Sequence, residues 1–189
     1  MQRLTNDPLV SERLVLDALV PDHAAQMVDV LADESLYTFI GGEPPTLQQL
    51  VRRYAAQVVG QSDDGLQSWF NWIVTLRDTG AAVGFVQATV EADADGAVAD
   101  LAWVINSRHQ GQGIASEATQ MMILWLRSRG VTRFAAFVHP DHGASIGVAR
   151  HQGFRSSGTV RDGEIRWEWN DATRDEQADR RAPGSMTDV

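Results

Sequence analysis

The stretch RHQGQGIASEATQMM, Arg108 to Met122, sets two glycines ahead of an apolar stripe at Ile114, Ala118, Met121, Met122 and, beyond the stretch, Trp125. Spacings of three and four mark one face of a helix. Upstream, VADLAWVI (Val98 to Ile105) reads as a strand. Strand, tight glycine turn and helix therefore form the central unit. The first turn of a helix carries free N–H groups and partial positive charge. Gly111 and Gly113 leave no side chain in front of them and tolerate unusual backbone angles. Such a turn either binds an anion, usually phosphate, or only connects the two elements.

The common phosphate loops fit poorly. A P-loop needs a lysine after its last glycine, and the chain contains no Lys. The dinucleotide fingerprint G-x-G-x-x-G/A meets Ser116 at its third place, and the strand lies too late in the chain for it. Pyrophosphate held by backbone alone remains compatible.

Composition narrows the class. A chain of 189 residues is expected to form one domain with a sizeable core. Hydrophobic content of 43% and charged content of 22% are those of a globular protein. No apolar run reaches membrane-spanning length, and the N-terminal segment lacks the apolar centre of a signal peptide. Cysteine is absent, which removes disulfides and cysteine nucleophiles and makes a cytoplasmic setting the expectation. A formal net charge of -9 argues against nucleic acid as a partner and is compatible with an amine ligand.

Outward from the glycine loop, ERLVLDAL (Glu12 to Leu19) reads as a first strand. Pro21 opens a helix through DHAAQMVDVLAD, and Tyr37 to Pro45 reads as a loop. Thr46 and Gln49 form a capping box for a helix to about Val59. Ser68 to Asp78 and Ala81 to Ala92 read as strands. After the long helix, Gly130 is a stop. Thr132 to Val138 is a strand, HPDHGASIGVARHQ a turn with a short helix, and GFRSSGTV with IRWEWND a hairpin around Asp162 and Gly163. Residues 172–189 are polar and aperiodic and are expected to be a disordered tail after a single domain spanning 1–171. This order predicts an α/β (α+β) domain with a mixed, mostly antiparallel sheet flanked by helices.

At Arg108-x-x-Gly111-x-Gly113, followed by GIASEA, the sequence resembles the GNAT N-acetyltransferases. VHPDHGASIGVARHQGF (Val138 to Phe154) and the opening SERLVLDAL resemble the branch that includes ribosomal-protein-alanine acetyltransferases. The resemblance covers roughly residues 10 to 170. It implies a central splayed strand pair and acetyl-CoA as cofactor. The pyrophosphate would sit on the loop formed by Arg108, Gln110, Gly111, Gln112, Gly113, Ile114 and Ala115. The pantetheine arm would run as a pseudo-strand beside Trp103, Val104 and Ile105. His142 stands where many members have a cofactor-contacting Asn. Ala149 stands where many have a tyrosine acid, so Ser145 is the nearest hydroxyl toward the sulfur.

The implied reaction is acetyl transfer to a primary amine, on a peptide N-terminus or a small molecule, by direct attack in a ternary complex. A backbone N–H near Val104 or Ile105 is the candidate oxyanion donor. Glu91, Asp100 and Glu164 are candidate bases, with Glu164 preferred. Tyr37, Phe39, Trp72, Gln87 and Trp103 are the candidate acceptor-pocket residues. Two readings compete. One is a non-catalytic CoA-binding regulatory module. The other takes GASIG (Gly143 to Gly147) as the G-x-S-x-G elbow of a serine hydrolase with Ser145 as nucleophile, although His151 follows too closely to serve as its base. His139, His142 and His151 lack metal-ligand spacing, so no metal is expected. A monomer or homodimer is expected.

Overall fold

The structure is a computed structural model and describes residues 6–94 and 96–170. The tail expected at 172–189 lies outside the described residues. Eight strands form one sheet: β1 (Leu9–Val10), β2 (Leu14–Ala18), β3 (Gln67–Leu76), β4 (Ala82–Asp93), β5 (Gly96–Ile105), β6 (Arg133–Val138), β7 (Arg155–Arg161) and β8 (Glu164–Asn170). Their spatial order is β1-β2-β3-β4-β5-β6-β8-β7. Every neighbouring pair is antiparallel except β5 and β6, which run parallel.

That parallel pair is short. It holds Val98 to Asp100 against Arg133 to Ala135 and then stops. Beyond Asp100 the two strands diverge, so the second half of β5 has no strand on its β6 side. This is the splayed pair the resemblance implied.

Helix α4 (Ile114–Arg127) crosses one face of the sheet. Its buried stripe of Ile114, Ala118, Met122, Trp125 and Leu126 packs on Phe70, Trp72, Val74, Val86 and Leu101. Trp125 meets Trp72 edge-on, with ring centroids 5.1 Å apart. Burying each such large side chain contributes roughly 1.5–3 kcal/mol, which makes this layer the main core. Helix α5 (Gly143–His151) joins the same layer through Ala149. On the opposite face lie α1 (Ala24–Val30) and α3 (Leu47–Gln57), which bury Met27, Leu31, Leu50, Tyr54 and Ile73. The Thr46–Gln49 capping box forms in both directions, at 2.7 Å and 3.3 Å.

Local departures from the sequence reading have local causes. Pro21–His23 is a separate 3-10 turn, and α1 begins only at Ala24. Tyr37 to Pro45 is not all loop, because Tyr37–Ile40 forms the short helix α2. It follows a 3-10 turn that Asp33 caps through the Ser35 N–H at 2.9 Å. β1 is too short to show a period, and only its pairing with β2 makes it a strand.

Candidate active site

The glycine loop has the conformation that its residues permit. Gly111 and Gly113 sit at φ +73 and +76. Among the described residues, the first bond into α4 runs from the Glu117 N–H to the Gly113 carbonyl at 3.0 Å. The amides from Gly111 to Ser116 precede it and have no partner among the described residues. All of these residues but Gln112 line a cleft of about 620 Å³. Gln110 ties the loop to the strand by donating from Nε2 to the Ile105 carbonyl at 2.8 Å.

Arg13, just ahead of β2, secures the loop. Its Nη1 donates to the Gln112 carbonyl at 3.2 Å and its Nε donates to Glu117 at 2.8 Å. Ser11 adds a bond to the other Glu117 oxygen at 2.7 Å. Both residues lie in the SERL opening noted from the sequence, but their role is invisible without the fold, because each lies more than a hundred positions from Glu117.

Most of the expected cofactor residues converge here. Val104, Ile105, Gln110, Gly111, Gly113, Ile114, Ala115, His142 and Ser145 line the cleft. Arg108 and Gln112 do not. Arg108 is exposed on the 3-10 turn before the loop, and the Gln112 side chain turns back to donate from Nε2 to the Arg108 carbonyl at 3.4 Å.

A second cavity of about 380 Å³ adjoins the cleft. Its lining includes Gln87, Thr89, Asp100, Trp103, His139 and Glu164. Five residues belong to both spaces and form a waist: Ile40, Trp103, Val104, His142 and Ser145. The cleft and the second cavity open onto each other at this waist. Phe39 closes it from above, stacking on His142 at 4.6 Å and tilting toward His139 at 5.4 Å. Burial and the neighbouring His139 imidazole hold His142 below the ordinary histidine range, which favours a neutral ring at pH 7.

Of the acceptor residues named from sequence, Gln87 and Trp103 line the cavity and Phe39 the cleft. Trp72 does not belong to either. It is 0% exposed, packed on α4, and its indole N–H donates to the Asp7 carbonyl at 2.9 Å. Alternation along β3 sends Phe70 and Trp72 to the α4 face and Trp69 and Asn71 to the other. Tyr37 is also turned away, with its hydroxyl donating to the Leu31 carbonyl at 2.9 Å.

Glu164 and Asp100 both wall the second cavity. Asp100 is the more unusual. Its side chain as a whole is 42% exposed, yet its Oδ1 is buried with no hydrogen-bond partner. The Arg166 guanidinium is 4.0 Å away. Desolvation outweighs Arg166 and Arg161 and pushes the Asp100 carboxyl above its ordinary range.

Ser145 lies inside α5 with ordinary helical backbone; the non-glycine residue with positive φ among those described is Asp162. A nucleophile elbow needs a strained serine at an abrupt strand-to-helix turn, so the hydrolase reading fails.

Comparison with known proteins agrees with the geometry. The family model for the acetyltransferase (GNAT) domain matches residues 13–155. A relative described as the uncharacterized N-acetyltransferase p20 of Bacillus licheniformis is 25% identical over 159 residues, covering 84% of this chain and 88% of that protein. The ribosomal L7/L12 alpha-N-protein acetyltransferase RimL, solved with coenzyme A, superposes with a TM-score of 0.73 at 18% identity, over 87% of this chain and 98% of its own. The aminoglycoside acetyltransferase AAC(6')-Ib, also solved with coenzyme A, gives 0.68 at 17% identity, over 87% and 99%. The chain belongs to the GNAT acetyltransferase family, an enzyme family whose acyl donor is acetyl-CoA.

Proposed function

We propose that the protein moves the acetyl group of acetyl-CoA to a primary amine, on a peptide N-terminus or a small molecule, by direct attack with both substrates bound. The observation that carries this reading is the waist. One space presents unpartnered helix-start amides to an anion, the other presents carboxylates to an amine, and the two touch at Trp103, Val104, His142 and Ser145. Acetyl-CoA supplies a thioester-activated acetyl group. The amides of Gly111 to Ala115 hold its pyrophosphate. The unpaired edge of β5 beyond Asp100 holds its arm by strand-like hydrogen bonds. On that open edge the register leaves the Ile105 N–H, rather than that of Val104, to stabilise charge on the carbonyl oxygen.

Proton transfer falls to the cavity wall. Asp100 takes the proton of the amine, because its place in the cavity wall and its raised pKa make it a better base than an ordinary surface carboxylate. Glu164 sits beside it in the cavity and attracts the incoming ammonium. Ser145 offers its hydroxyl to the departing sulfur, in place of the tyrosine that Ala149 replaces.

The reaction is tested by incubating the protein with acetyl-CoA and an amine panel, reading thiol release and the N-acetyl product by mass spectrometry. Thiol release that no amine accelerates would sink the reading. Asp100→Asn is expected to lower kcat/KM by roughly 10²- to 10⁴-fold. An acid limb of the rate profile above the usual carboxylate range should vanish with it. The stability sign runs the other way. A carboxyl whose pKa is raised on folding stabilises the fold when protonated, and that contribution is lost as pH rises through the folded pKa. Asp100→Asn is therefore expected to melt no lower than wild type at pH 7, and a lower melting temperature would contradict this. Ser145→Ala is expected to lower kcat by about 10- to 100-fold, at or below the low end of general-acid effects. CoA affinity by calorimetry should be unchanged. An unaltered kcat, with an acceptor for which chemistry limits the rate, would remove Ser145 from the mechanism.

A further inference from the structure

The floor of the acceptor cavity continues past the waist. Register places Ala102 of β5, Gln87 of β4 and Asn71 of β3 side by side. Flanking rows are Asp100, Thr89 and Trp69 on one side, and Val104, Phe85 and Ile73 on the other. All nine point to the α3 face. The row Ala102–Gln87–Asn71 thus leads from the waist across two strand spacings, roughly 10 Å.

At its far end, α3 supplies Arg53, Tyr54 and Gln57. Two adjoining cavities lie there, of about 40 and 310 Å³, and both are lined by Arg53, Gln57, Asn71 and Gln87. Tyr54 lines the smaller one. It is 4% exposed, and its buried hydroxyl has no hydrogen-bond partner. Burial pushes its phenol up to about 12, so at neutral pH it is a donor. The side chains of Arg53, Gln57, Asn71 and Gln87 hold no hydrogen bond or ion pair among the described residues. Five polar groups therefore converge unpartnered on one space, at the end of a floor that starts where the amine reacts.

The set is rich in donors. A guanidinium fork, a phenol O–H and three carboxamide NH₂ groups match the acceptor sites of one carboxylate. A cavity of about 40 Å³ suits such a head group, since water occupies roughly 30 Å³. An α-amino acid does not fit, because its own carboxylate lies next to its amine. A peptide does: at about 3.3 Å per extended residue, the side chain of its second or third residue reaches the far end.

We propose that Arg53, Tyr54, Gln57, Asn71 and Gln87 form a carboxylate subsite, and that the acceptor is an amine bearing a carboxylate roughly 10 Å away, as in a peptide N-terminus followed by Asp or Glu at position two or three. The subsite rests on the acetyl-transfer reading for the place of the amine.

The test uses the full chain loaded with CoA. Short peptides with Glu at position two or three are titrated against their Gln counterparts, by calorimetry and Trp fluorescence. An ω-amino acid of matching span is the small-molecule arm. The Glu peptide is expected to bind about tenfold tighter than the Gln peptide, the size of one net charge-assisted bond. Arg53→Gln and Tyr54→Phe should each erase most of that preference and leave CoA affinity unchanged. Arg53 is exposed and Tyr54→Phe keeps the ring, so both variants should fold. Tight binding of the ω-amino acid with the same sensitivity to Arg53→Gln would keep the carboxylate subsite and assign the acceptor to small molecules. Equal affinity for Glu and Gln peptides, no binding of any carboxylate ligand, or a preference that survives both substitutions would overturn the subsite. Thiol release separates the two readings. Transfer without acid preference overturns the subsite alone, and preferential binding with no transfer to any amine overturns the acetyl-transfer reading alone.

Discussion

A Gly111→Val protein is expected to fold and to bind CoA at least about 100-fold more weakly than wild type. The expectation combines two observations. Gly111 has φ +73, and a Cβ built there meets nothing within 4 Å. Packing therefore does not oppose the valine. The stability cost is the left-handed backbone, about 1–2 kcal/mol for an L-residue. In a chain of this size that lowers the melting temperature by roughly 2–8 °C. The binding cost is larger. The open space around Gly111 is the approach to the unpartnered amides of residues 111–116, and valine methyls would occupy it. Charge-assisted hydrogen bonds contribute roughly 1.5–3 kcal/mol each, so losing two weakens affinity by a factor of about 100 or more. Calorimetry with CoA reads the affinity, and thermal unfolding reads the fold. Gly158→Val is the control. Gly158 has φ +78 and equally open space, but lies in β7, outside the cleft lining. It should show the backbone cost without the loss of affinity. Unchanged CoA affinity in folded Gly111→Val would place the pyrophosphate elsewhere.

Gly84→Ala has the opposite character, a packing fault with ordinary backbone angles. A Cβ on Gly84 would lie 2.1 Å from the Val104 carbonyl oxygen and 2.9 Å from the Ile105 Cα. Both are backbone atoms, so no side chain can swing away. Gly84 pairs with Ile105 on one side and with Val74 on the other, next to the register shift in β3 and β4. An alanine must push the end of β5 outward. Overpacking of this kind costs typically 1–3 kcal/mol and here is expected at about 3 or more, since the clash is deep and rigid. The melting temperature should fall by roughly 6–12 °C. Val104 and Ile105 line the cleft proposed for acetyl-CoA, so kcat should fall with it. A Gly84→Ala protein with wild-type stability would mean that β5 yields more easily than this pairing implies.

The central strand, glycine turn and helix were legible because their signals are local. Spacing by three and four marks the α4 face, paired glycines mark the turn, and Thr46 with Gln49 marks the start of α3. The row of free helix-start amides was legible for the same reason, since they belong to consecutive residues. Aromatic assignments were not. WFNW shows that Trp69 and Trp72 point to opposite faces, but each face of a central strand is covered, so the period alone does not say which face is core. α4 decided it by packing Trp125 on Trp72.

Among the carboxylates, Glu164 and Asp100 looked alike as letters. Asp100 differs because it stands where β5 and β6 part, with one oxygen buried and without a hydrogen bond while arginines from β7 and β8 stand near. The sequence by itself determined most of the element order, the glycine turn ahead of α4, and the family these imply. The tertiary structure alone decided the waist between the two cavities, the tether from Arg13 to Glu117, and the row from Ala102 to Asn71. Each of these joins residues far apart in the chain, and their contacts depend on strand pairing and helix packing that no local pattern of residues encodes.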